Sequence, residues 1–108
     1  MHHNRIQQLL ELIKEEPDDP FLHYAIGLEY LAEKNFQQAQ QSFEKCLSLD
    51  SQYIPAYYQL GILLYNLNHK DKSLNYLKKG LEIAKNKKQL KDIAEFQSTI
   101  TNIENDLL

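Results

Sequence analysis

Apolar residues near the start of the chain fall at Ile6, Leu9, Leu10 and Ile13, the i, i+3, i+4, i+7 spacing of one helical face, and predict a helix over about residues 4–16. Near the end, Leu90, Ile93, Phe96, Ile100, Ile103 and Leu107 recur at alternating threes and fours, which predicts a long terminal helix over about 88–107. Between these stripes the sequence repeats. His23-Tyr24-Ala25-Ile26-Gly27-Leu28-Glu29-Tyr30 returns as Tyr57-Tyr58-Gln59-Leu60-Gly61-Ile62-Leu63-Leu64, a step of 34 residues. At the same step Ala39 answers Ser73, Phe43 answers Leu77, Cys46 answers Gly80 and Leu47 answers Leu81. Small sites stay small and large apolar sites stay large, as a packing constraint requires.

Helix boundaries are written locally. Asp19-Pro20 reads as a cap followed by proline in the first turn, and Asn35 with Gln38 as a capping pair. Pro55 opens a third segment, and Asn68 with Asp71 offers a weaker cap for a fourth that begins near 68 or 69. Only three glycines and three prolines are present, too few for a set of hairpin turns, so an all-α fold of about six helices is expected.

The step and its residue types resemble the tetratricopeptide repeat family. A first repeat over about 20–53 supplies Ile26-Gly27, Tyr30, Ala39, Phe43 and a small Cys46, but has His23 at an aromatic site and Ser51 at the usual proline. A second over about 54–87 supplies Tyr57, Leu60-Gly61, Ser73, Leu77 and Gly80, with Leu64, Lys70 and Lys85 where the pattern has tyrosine, an aromatic and proline. The resemblance implies one domain over 1–108, an antiparallel helix-pair stack winding as a right-handed α-solenoid. Residues 4–16 would then be a half-repeat, because Pro17 lies 34 residues before Ser51. The terminal helix would be a cap, since Ala94 and Glu95 stand where the repeats carry Leu-Gly. Glycine in both repeats at one phase needs a packing reason, because it costs roughly 0.8–1 kcal/mol in a helix. The crossing of Ala39 and Ser73 supplies one.

The resemblance also implies a concave wall made by the first helix of each pair. It maps to Phe21, Tyr24, Leu28 and Leu31, then Tyr58, Gln59, Ile62, Tyr65 and Asn66. Some family members grip acidic chaperone tails with Lys, Asn and Arg along this wall. Here Tyr24, Leu28, Tyr58 and Ile62 occupy those places, so the expected ligand is a protein segment with an apolar face, such as a helix or extended peptide. The competing expectation is a homodimer or larger homo-oligomer that covers the wall, or the terminal stripe, with a second copy.

Composition narrows the chemistry. Hydrophobic residues make up 43% and charged residues 25% of 108 residues, a globular balance. The net charge of −3 conceals a segregation: Glu11, Glu15, Glu16, Asp18 and Asp19 crowd the start, and Lys70, Lys72, Lys78, Lys79, Lys85, Lys87, Lys88 and Lys91 crowd a later stretch. Asp71 and Glu82 interrupt that band and no nucleic-acid motif accompanies it, so a solvated face is expected and nucleic acid is not. Cys46 is the single cysteine and fills a small packing site, which rules out an internal disulfide. His2, His3, His23 and His69 share no ligand spacing, and no nucleophile has a supporting base. No cofactor, metal or catalysis is expected. The first residues lack the apolar core of a signal peptide, and no window reaches the roughly 20 apolar residues of a membrane span. A cytoplasmic adaptor is the expected setting.

Overall fold

The computed structural model describes residues 2–108, with His2 and His3 described by backbone alone, so the side chains of those two histidines lie outside the described residues. Among the described residues six helices follow one another: α1 (His2–Glu15), α2 (Pro20–Ala32), α3 (Phe36–Leu49), α4 (Ile54–Asn66), α5 (Lys70–Asn86) and α6 (Leu90–Glu104). Among the described residues there is no strand. Contacts gather the chain into two compact units, residues 1–56 and 57–108.

In the first unit α1 and α3 both pack on α2. Ile6, Leu22, Ile26, Ala39, Phe43 and Cys46 are buried, the last three completely. A Cβ at Gly27 would lie 2.6 Å from Cε1 of Phe43. The ring of the second helix therefore occupies the place a side chain would take. The crossing expected at the small residue Ala39 falls instead at Phe43, the large residue one turn later, and its ring is what needs the glycine.

In the second unit α5 packs on α6, and Leu77 stands over Gly61 of α4 as Phe43 stands over Gly27. Ser73, fully buried, donates its hydroxyl to the Gly61 carbonyl at 2.6 Å. That bond explains how a polar residue is accepted at the site Ala39 fills in the first repeat.

One turn design recurs. After α2, Lys34 takes a left-handed φ of 61°; its N–H donates to the Leu31 carbonyl at 3.0 Å, and the Asn35 N–H donates to the Tyr30 carbonyl at 2.9 Å. These two bonds form the helix-ending motif that normally favours glycine. It returns at Asn68, Lys88 and Asp106, with φ of 68°, 57° and 53°. Asn35 closes α2 and also caps α3, accepting from the Gln38 N–H at 3.3 Å. Asp19 caps α2 by accepting from the Phe21 N–H at 2.9 Å. Because a left-handed lysine is strained by about 1–2 kcal/mol, Lys34→Gly is expected to raise stability by about 0.5–1 kcal/mol after the entropy of the added glycine is subtracted. Thermal denaturation followed by circular dichroism checks this, and a lower melting temperature would contradict it.

Two sequence expectations are corrected. Asn68 does not cap α5; the cap is His69, which makes no side-chain capping bond, and Asn68 instead supplies the left-handed residue that ends α4. The terminal helix stops at Glu104, because Asp106 turns left-handed and takes Leu107 off the stripe to 71% exposure. Leu90, at the other end of the stripe, is 78% exposed, whereas Phe96, Ile100 and Ile103 are buried within the chain.

Helix α6 does not repeat the burial of α4 in register. Tyr57, Leu60, Gly61 and Leu64 of α4 are all buried, and their counterparts 34 residues on, Lys91, Ala94, Glu95 and Ser98, are all exposed.

Candidate functional site

Helix α2 is apolar on nearly every side. Leu22 and Ile26 point into the first unit, while Phe21, Tyr24, Leu28 and Leu31 form a second stripe at spacings of three, four and three. Phe21 is 57% exposed; the other three are half-buried. Tyr24 is held between two rings, with centroids 5.7 Å from Phe43 and 5.2 Å from Tyr53, both tilted. These offset geometries fix the ring while leaving part of its surface to solvent. His23, at the aromatic site of the first repeat, approaches the Pro17 carbonyl with Nε2 at 2.8 Å and so ties α2 to the preceding turn.

On α3 of the same unit Cys46 is fully buried. Burial first, and then the Asp50 carboxylate, push its thiol up to about 12. A free thiol titrates near 8.5, so the folded value is raised. The stability linked to it is complete below about pH 8.5 and declines as pH rises toward about 12. At pH 8 a disulfide thiol reagent is expected to leave the native protein unmodified and to titrate one thiol after denaturation. Rapid native labelling would contradict the packing assignment.

On α4 of the second unit the predicted residues are less free. Tyr58, Gln59, Ile62 and Tyr65 are half-buried and Asn66 is exposed. The Tyr58 ring meets Phe96 of α6 edge-on at 5.6 Å, with an interplanar angle of 77°, and its hydroxyl shares a 3.1 Å hydrogen bond with the hydroxyl of Thr99. Tyr65 donates to Oδ1 of Asp106 at 3.3 Å. Lys70 donates to both oxygens of the same carboxylate at 3.2 Å. Loss of solvent, then the Asp106 charge and hydrogen bond, hold the Tyr65 phenol above its ordinary pKa against the opposing pull of Lys70.

The outcome is a polar depression of about 400 Å³ lined by Tyr65, Asn66, Asn68, Lys70 and Asp106. Of these five residues, the repeat pattern points to Tyr65 and Asn66. Lys70 was visible as a cation in place of an aromatic, but Asp106 lies past the helix stripe and carries no periodic signal.

Other expected chemistry is placed as follows. His69 is exposed beside the α5 start, and among the described residues no group of three or more His, Cys, Asp or Glu could hold a metal ion. Of the lysine band, Lys78 meets Glu104 at 3.5 Å, an exposed pair of small energetic weight. No helix among the described residues is long and apolar enough to cross a membrane.

Comparison with known proteins decides the family. The model of the tetratricopeptide repeat matches residues 30–95, more than half of the chain. The chain belongs to the tetratricopeptide repeat family. A tetratricopeptide repeat domain protein from Salinibacter ruber, solved by NMR, is 32% identical, with a TM-score of 0.77 over 82% of this chain and 90% of that one. The TPR2B domain of yeast Sti1, in complex with pHsp70, has a TM-score of 0.89 at 14% identity, over 97% of this chain and 84% of the other. The first TPR of Spaghetti (RPAP3), bound to the HSP90 peptide SRMEEVD, has a TM-score of 0.85 at 19% identity, over 98% and 79%. At those identities the last two show the tetratricopeptide fold alone. No curated protein matches the sequence.

Proposed function

We propose that this tetratricopeptide repeat protein is a non-catalytic, cytoplasmic interaction module that holds a helix or extended peptide of a partner protein on the faces of its first helices. In the first unit the contacts are Phe21, Tyr24, Leu28 and Leu31. In the second they are Tyr58, Gln59, Ile62, Tyr65 and Asn66. Tyr24, Leu28, Tyr58, Ile62 and Tyr65 carry most of the energy.

The observation behind this reading is the second apolar stripe of α2. A helix apolar around its circumference is normally covered on all sides, yet Phe21 is 57% exposed and Tyr24, Leu28 and Leu31 keep part of their surface. Large apolar residues in one exposed row mark interaction surfaces. On α4 the tyrosine hydroxyls are already engaged, so that helix offers ring surface and little hydrogen bonding.

Charge argues for a ligand unlike the acidic peptide of the Spaghetti complex. Residues 1–56 carry nine acidic and four basic side chains, and an acidic segment would meet repulsion there.

Replacing Phe21 with a photoreactive phenylalanine tests the reading. A foreign protein captured reproducibly, with binding of the purified partner then lost in Leu28→Glu while helicity and melting temperature hold, supports it. Crosslinks only between copies of this chain would sink it in favour of a homo-oligomer built on the same wall or on α6.

A further inference from the structure

The two units carry opposite charge around exposed apolar residues, and the arrangement is complementary. At the α1–α2 corner of the first unit, Leu12 is 46% and Phe21 57% exposed, with exposed Glu15, Glu16 and Asp18 between them. Backbone bonds from Glu16 to the Leu12 carbonyl and from Asp19 to the Glu16 carbonyl, at 2.9 and 3.3 Å, fold these residues into one tight corner. At the α5–α6 corner of the second unit, Leu90 is 78% exposed, with exposed Lys85, Lys88 and Lys91 around it. There Lys88 donates to the Lys85 carbonyl at 3.1 Å and so draws these residues into a corner of the same kind. Residues 1–56 hold five more acidic than basic side chains, and residues 57–108 hold two more basic than acidic.

We propose that the α5–α6 corner of one molecule docks on the α1–α2 corner of a second copy, with Leu90 entering between Leu12 and Phe21 and the three lysines facing the three carboxylates. This association does not depend on the partner-binding reading, although Phe21 belongs to both surfaces and the two events compete. Because the joined patches differ, each single contact leaves one patch free on each molecule, and association continues by rings, open chains or a reciprocal pair in which both contacts form at once. Few residues take part on each side, so the contact belongs to the small, weak class of interfaces. Exposed charges steer it, and it must weaken as salt shortens the Debye length below about 10 Å.

Sedimentation of the full chain tests this. At about 20 mM salt the weight-average mass is expected to climb above 12.7 kDa as concentration rises, and at about 300 mM salt the association constant is expected to fall at least tenfold. The triple variants Lys85→Glu/Lys88→Glu/Lys91→Glu and Glu15→Lys/Glu16→Lys/Asp18→Lys should each be monomeric alone, with unchanged helicity. Mixed in equal amounts they should associate again, because one then has two acidic corners and the other two basic corners. A mass fixed at the monomer value at low salt overturns the proposal. So does association that resists salt and survives in both variants, or a mixture that stays monomeric. Because Phe21 belongs to both surfaces, the crosslinking is carried out at about 300 mM salt, where this self-association is suppressed, and the partner reading then stands or falls separately.

Discussion

Phe43→Ala is expected to lower the unfolding free energy by about 3–5 kcal/mol, the range for deleting a buried aromatic ring. Phe43 is fully buried, touches Tyr24 at 5.7 Å between centroids, and fills the space above Gly27. Small domains have only about 5–15 kcal/mol in total, so the variant should sit close to its unfolding threshold at 37 °C. Urea denaturation followed by circular dichroism measures the loss, and a value below about 1 kcal/mol would mean that the first unit does not rest on this ring. Gly27→Ala sharpens the test through a double-mutant cycle. Alone, it must fit a methyl group 2.6 Å from the ring and should destabilise by about 1–3 kcal/mol. Without the ring, the helical preference for alanine, about 1 kcal/mol, should make the same change stabilising. A reversal of sign between backgrounds is the expected coupling.

Gly80→Ala should cost about 2–3 kcal/mol, although alanine favours a helix. The added methyl would lie 2.5 Å from Cζ of Phe96 and 2.9 Å from Cβ of Tyr57, overpacking two neighbours at once. Phe96 and Tyr57 are only 2% and 5% exposed, and a Cβ cannot swing aside without its backbone. Relief by Phe96→Leu should therefore be partial, because Tyr57 stays in place. Faster amide exchange confined first to α6 would locate the damage at its seat on α5. Wild-type stability in Gly80→Ala would refute the close approach.

The repeat was legible because close packing restricts residue size at fixed intervals. Gly27, Gly61, Phe43 and Leu77 recur in phase, and the family and the all-helical fold followed from that recurrence. Caps written in one residue, Asp19 and Asn35, were readable because a side-chain oxygen beside a helix start has one obvious use. Asn68 was misread because asparagine suits both a cap and a left-handed turn, and the backbone of α4 selected the second. The stripe Phe21, Tyr24, Leu28 and Leu31 could be written down from the sequence. What surrounds Tyr58 and Tyr65 could not, because their partners Thr99 and Asp106 are 41 residues away and no spacing rule links them. Asp106 escaped for the same reason, and Lys70, visible as a cation in place of an aromatic, gave no sign of the carboxylate it meets.

The polar row on α6 has a consequence for how such a stack can be lengthened. Any further helix laid in the equivalent of the α5 position would have to strip water from Lys91 and Glu95, at several kcal/mol for each unpaired charge, and would find at position 95 a side chain in place of the glycine that admits Leu77 in α4. A helix added at this edge would have to overcome that hydration. A designer wishing to append repeats would need to rewrite Lys91, Ala94, Glu95 and Ser98 as an apolar, glycine-bearing seat before adding any helix.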